Sequence, residues 1–146
     1  MPGNDKYVKL ARQVALFRGL TPEEVQKIFA RGTTMTVEKG NIVFHKGTTG
    51  NQMFVVLGGK IALYSGKKHL ADLLAGDMFG EMALISNEPR SATAVAAERS
   101  QVFVLSEQVF HKLMTKRAAI RILLNIVGTL STRLREMNQR IPESTQ

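Results

Sequence analysis

Residues 76–97 read GDMFGEMALISNEPRSATAVAA, and the order of residue types along this stretch decides the fold. A Gly-Asp turn is followed by a second glycine and a carboxylate, Gly80-Glu81. Then come a short apolar run of helical character (82–85), a polar loop (86–89) and Arg90 at the threshold of a small-residue strand (91–96). A glycine before a helical turn adopts positive φ without penalty and lets a ligand approach the backbone. The first N–H groups of such a turn have no internal partner and point outward, where an anion sits on them. Arg90 supplies a planar fork of donors that fits phosphate oxygens two at a time. Glu81 has no use for an anion. A carboxylate only accepts, and a sugar hydroxyl is a good donor to it, with Arg90 lowering the cost of its burial. Pro89 restricts Glu88 and stiffens the approach to Arg90. Ser91 and Thr93 alternate with Ala92 and Ala94, which puts both hydroxyls on one face of the strand. The inventory suits an anion that also carries hydroxyls. The plainer alternative is a surface loop closed by a Glu81–Arg90 salt bridge.

Taken whole, FGEMALISNEPRSATAVA resembles the phosphate-binding cassette of the cyclic nucleotide-binding domains of catabolite-activator regulators, nucleotide-gated channels and nucleotide-dependent kinases. The flanking chain is similar too, from Leu16 to about Arg140. The resemblance implies that Gly80 and nearby backbone amides, here those of Met82 and Ala83, bind a cyclic phosphate. It assigns the ribose 2′-hydroxyl to Glu81, the exocyclic phosphate oxygens to Arg90 and a further phosphate hydrogen bond to Ser91. Phe79 and Thr93 complete the candidate set within the cassette, residues 79–93. In this family a long C-terminal helix lids the base and shifts on binding. With Thr132-Arg133-Leu134-Arg135 as anchor, Arg133 matches a basic residue that approaches the phosphate and the cassette carboxylate. On that register the polar pair that contacts adenine falls on Met137 and Asn138. Methionine replaces a hydroxyl there and packs only, whereas Asn138 offers a donor and an acceptor to a purine edge. Serine rather than threonine after the arginine favours cAMP as the ligand; cGMP stays open, because serine also reaches the guanine amino group.

The rest of the chain agrees with one such domain. At 146 residues and 44% hydrophobic it buries one modest core and has no room for a second full domain. Apolar positions from Val8 to Phe17 give an amphipathic helix over 5–18, ended by Gly19. Thr21-Pro22-Glu23-Glu24 opens a second helix with a capping threonine, a proline and acid in the first turn. From residue 33 to 105 the pattern becomes short strands separated by glycine turns. Gly58-Gly59 reads as a hairpin between 53–57 and 60–64, and the turn at 65–68 leads into 69–74. About eight such strands predict a mainly β fold, an antiparallel jelly-roll-like barrel; the family's β-roll is the same prediction with a topology attached. Ser106 caps a further helix, and a long one runs from about Ala118 to Gln139. The expected layout is one domain over 1–141, with N-terminal helices 5–31, a β-roll 33–105 and C-terminal helices 106–141, followed by a short tail.

Along the long helix, Ile120, Leu123, Val127, Leu130, Leu134, Met137 and Ile141 step alternately by three and four, the seam of a coiled coil. A core-facing helix carries a similar stripe, but one reaching Ile141 points to a second copy of the chain, and regulators of this family pair through this helix. Gly128 interrupts it at a cost of about 1 kcal/mol, for close packing or for bending.

Other classes fare worse. The net charge of +8 invites a nucleic-acid partner, yet the basic residues are dispersed and no second helix-turn-helix-like segment follows. No long apolar window or signal-like block is present, so the expectation is a cytoplasmic protein that does not enter a membrane. There is no cysteine, and His45, His69 and His111 are too scattered to hold a metal. Asp77 and Glu81 lack a nucleophile or second base, and no GxxxxGK[ST] loop occurs, so no catalytic residue is nominated and no cofactor is expected. The serious rival is a dimerisation domain whose cassette stays empty. If the chain is complete it acts as a stand-alone sensor; if it is a piece, the output lies in the remainder.

Overall fold

A computed structural model describes residues 2–113 and 116–139. Helices α1 (Pro2–Gln13) and α2 (Pro22–Arg31) precede eight strands: β1 (Thr33–Val37), β2 (Ile42–Phe44), β3 (Gln52–Gly58), β4 (Ile61–Ser65), β5 (Lys68–Leu73), β6 (Met78–Phe79), β7 (Thr93–Ala96) and β8 (Ser100–Ser106). Helices α3 (Glu107–Leu113) and α4 (Lys116–Gln139) close the chain, and short 3-10 turns occupy Ala15–Phe17 and Glu81–Leu84. The mainly β fold with flanking helices read from the sequence is the fold observed.

The strands form two antiparallel four-stranded sheets, ordered β1-β8-β3-β6 and β2-β7-β4-β5. Side-chain alternation along β3 and β8 makes one sheet serve two cores. Phe54, Val56, Val102 and Val104 face Ile61, Leu73, Ala94 and Ala96 of the opposite sheet. Met53, Val55, Phe103 and Leu105 face the other way, onto Leu16, Phe17, Val25 and Ile28 of the N-terminal helices and Ile122 and Ile126 of α4. This explains the unbroken apolar run of β3: it is buried on both sides.

The structure corrects three boundaries. Residues 58–59 do not make a hairpin, because β3 pairs with β8 and β6 whereas β4 pairs with β5 and β7. Gly59, at φ +88°, instead carries the chain from one sheet to the other, packed so closely on Ser100 that a Cβ has no room. The first helix stops at Gln13 rather than 18, since the Ala15 amide turns to the Gly76 carbonyl (3.2 Å) and Val14, Leu16 and Phe17 drop into the core. The strand expected from 91 begins at Thr93, because Arg90 is first paired with the loop at 47–48, its amide donating to Thr48 O and its carbonyl accepting from Gly47 N, both at 2.8 Å.

Caps read from the sequence are present. Thr21 and Glu24 form a reciprocal capping box at α2, and the Ser106 hydroxyl accepts from the Val109 amide at 3.1 Å. The base of α4 is bolted to the N-terminal segment. Ala118, Ile122 and Ile126 are buried; Asn125 donates to the carbonyls of Leu16 and Arg18, both at 2.8 Å, and Arg117 reaches Glu24 and the Gly19 carbonyl. The heptad positions Ile120, Leu123, Val127, Leu134 and Met137 stand exposed, with Leu130 partly packed on the core. Ile141 and Arg140 lie outside the described residues.

Candidate functional site

Gly80 is the pivot of the site. It follows β6 at φ +69°, ψ 16° and starts the 3-10 turn Glu81–Leu84. A Cβ here would lie 2.7 Å from Arg90 Nη1 and 3.3 Å from Phe54, so only glycine permits both the left-handed backbone and the close approach of the arginine. The next residue, Glu81, is only 4% exposed.

Arg90 returns to this turn from the far end of the loop. Its Nη1 donates to the Gly80 carbonyl at 3.1 Å and its Nη2 to the Gln52 carbonyl at 2.7 Å. Burial lowers its pKa, opposed by the nearby Glu81 charge. The salt bridge between Glu81 and Arg90 is not formed; with two of its donors turned to carbonyls, Arg90 acts on Glu81 through its charge alone. The carboxylate is held instead from α4. Arg133 Nη1 donates to Glu81 Oε1 at 2.6 Å and Nη2 to the Met78 carbonyl at 2.6 Å. A charge-assisted contact therefore ties the upper part of α4 directly to the turn.

These groups line one open cleft of about 1190 Å³ between the β-roll and α4. Of the residues nominated from the sequence, Phe79, Gly80, Glu81, Met82, Ala83, Arg90, Ser91, Arg133 and Met137 line it. Thr93 and Asn138 do not. The Thr93 hydroxyl accepts from the Lys46 amide at 2.9 Å, and Asn138 is exposed, one residue round the helix from Met137. The Ala83 amide is engaged with the Gly80 carbonyl at 3.2 Å. Sequence reasoning missed the apolar wall, Leu63, Ala71 and Leu73 on β4 and β5, and Phe44 at the end of β2. Their segments read only as strands; the pairing of β7 with β2 and β4, and of β4 with β5, puts them on the cleft that Arg90 also lines. Among the described residues no cluster of three His, Cys, Asp or Glu side chains is arranged for a metal, and no helix is long and apolar enough to cross a membrane.

A left-handed glycine, a buried carboxylate and a half-buried guanidinium on one cleft inside a β-roll define a class, and comparison with known proteins agrees. The family profile described as cyclic nucleotide-binding domain matches residues 34–117. The chain is 32% identical over 126 residues to a cyclic AMP receptor protein of Thermus thermophilus, covering 83% of this chain and 57% of that one. It is 29% identical over 108 residues to a cAMP-dependent protein kinase regulatory subunit of Hypocrea atroviridis, covering 74% and 23%. The solved catabolite activator protein of Thermus thermophilus superposes with a TM-score of 0.74 at 32% identity, over 86% of this chain and 60% of that one. The chain belongs to the cyclic nucleotide-binding domain family. It spans 57% or less of the length of these two curated relatives.

Proposed function

We propose that this domain is a non-catalytic sensor of a 3′,5′-cyclic purine nucleotide, with cAMP the first choice and cGMP the alternative. The observation that carries the reading is the convergence of the buried Glu81 and the half-buried Arg90 on one cleft without pairing to each other. A buried carboxylate and guanidinium are expensive to keep, and each retains capacity directed at a ligand. The cyclic phosphate binds at the Gly80 turn, the Met82 amide, Arg90 and the Ser91 hydroxyl. The ribose 2′-hydroxyl donates to Glu81, whose Oε1 is shared with Arg133, and the base lies between the Leu63–Ala71–Leu73 wall and α4, with Met137 at its edge. The cAMP preference is supported by serine at position 91 and by the cyclic AMP-related names of relatives, and the cytoplasm is the compartment we assign.

Glu81 is the point at which occupancy is transmitted. A ribose hydroxyl on the carboxylate changes what Arg133 gains from it, and with that the position of the upper part of α4. The exposed heptad face of α4 supports a homodimer through this helix, so ligand alters what one subunit presents to its partner. Replacing Arg90 with Leu removes charged hydrogen bonds of roughly 1.5–3 kcal/mol and lowers affinity for cAMP at least about tenfold by calorimetry. Unchanged affinity removes the phosphate from this site.

A further inference from the structure

The side chain beneath Arg90 is not an acid but an aromatic ring. The guanidinium carbon lies 4.4 Å from the centroid of Phe44 and 5.8 Å from that of Phe54. Among the described residues no carboxylate comes within ion-pair distance of it; its direct polar partners are the Gly80 and Gln52 carbonyls. The ring of Phe44 is itself wedged. It packs against Phe54 at 5.7 Å and Phe79 at 5.9 Å, and those two rings stack on each other at 5.1 Å. Pairing of β2 with β7, Phe44 opposite Ala94, fixes its backbone.

Resting on the cyclic-nucleotide reading above, we propose that Phe44 is a positioning residue for phosphate recognition. Its ring face holds the plane of Arg90, while the two carbonyls fix its rotation. An arginine carries five N–H donors, so after Gly80 and Gln52 are served three remain for a ligand. The identity of the support matters electrostatically. A carboxylate in the place of Phe44 would orient Arg90 equally well, but its negative charge would repel an arriving phosphate. The negative face of a ring attracts the cation through its quadrupole and adds no net charge. Phe44 thus orients Arg90 and leaves its positive charge available to the ligand.

The test replaces Phe44 by phenylalanines bearing one, two and three ring fluorines, which weaken the ring's negative face at nearly constant volume. Calorimetric affinity for cAMP and the thermal midpoint are measured for each, in the native chain and in Arg90→Leu. The proposal expects affinity to fall stepwise, by about three- to fivefold across the series, with little change in midpoint, and the series to be flat in Arg90→Leu. A flat series in a chain whose binding still depends on Arg90 overturns it, as does an equal decline in Arg90→Leu, which would mean that the ring acts on the ligand or the fold directly. Absence of binding by the unsubstituted chain instead overturns the cyclic-nucleotide reading from which this proposal starts.

Discussion

Glu81 is almost without exposure, and its only ion-pair partner among the described residues is Arg133, 52 positions later in the chain. The turn that carries it was legible in sequence because it is local: a glycine, a short helical run and a guanidinium ten residues on. The partners were not. From the residues alone Arg90 was the natural counter-ion for Glu81, yet its donors go to Gly80 and Gln52 instead. Phe44 is invisible in the same way, because its nearness to Arg90 follows from strand pairing rather than from spacing. Thr93 was nominated by alternation; in the fold its oxygen accepts from the Lys46 amide and the residue stands off the cleft lining, with its own O–H still free to donate. One sharp prediction belongs to Glu81. The native chain prefers ribose to 2′-deoxyribose cyclic nucleotide by about tenfold or more, as expected for a hydrogen bond to a charged acceptor, and Glu81→Ala erases that preference. Discrimination that survives the substitution places the sugar elsewhere.

Helix α4 has two faces with different work. At 3.6 residues per turn, Ala118, Ile122, Ile126 and Arg133 fall on the side toward the β-roll, and Ile120, Leu123, Val127 and Leu134 fall on another. The sequence stripe is therefore two stripes overlaid, and its three-four alternation describes the exposed one. Val127 and Leu134 are each 59% exposed, and Met137 62%. Leu130 packs partly on the core and Leu134 lines the cleft, so a charge at either would also disturb the fold or the site; Ile120 (58% exposed) and Val127 isolate the proposed pairing face. Glutamate at both positions is expected to give a monomer by sedimentation equilibrium with the thermal midpoint of the isolated fold retained. A persistent dimer would move the interface off this helix. Gly128, whose two readings were packing and bending, has nothing among the described residues within 4 Å of a Cβ placed there beyond its chain neighbours and its own helix backbone, so packing within the subunit does not require it.

The molecule as a whole is two sheets with helices laid on the outer side of one, and α4 touches both the N-terminal segment and the ligand cleft. Strand existence and helix caps were readable because they follow from periodicity and local chemistry; the burial of β3 on both faces came only with the two cores. Sheet partnership was not readable, since a glycine pair signals a change of direction whether the next strand joins the same sheet or the opposite one. One tie between α2 and α4 gives the assembly a pH response. Burial of Glu24 pushes its pKa up, but the Thr21 amide and the Arg117 guanidinium outweigh this and hold it below the ordinary value of 4.5. Between the lowered folded value and 4.5 the unfolded chain binds more protons, so this contribution is complete above 4.5 and is lost as pH falls through the folded pKa. Glu24→Gln is therefore expected to flatten the acid limb of the stability curve relative to the native chain in urea titrations. Parallel acid limbs would assign that limb to other carboxylates.

Calorimetric titration of the nucleotide-stripped, folded chain with cAMP and with cGMP decides whether the cleft takes a cyclic purine nucleotide. Saturable binding at micromolar concentration or tighter is expected, one site per chain, with cAMP preferred. Neither heat nor a thermal shift with either nucleotide would contradict it and leave a domain that pairs through α4 with its cassette empty.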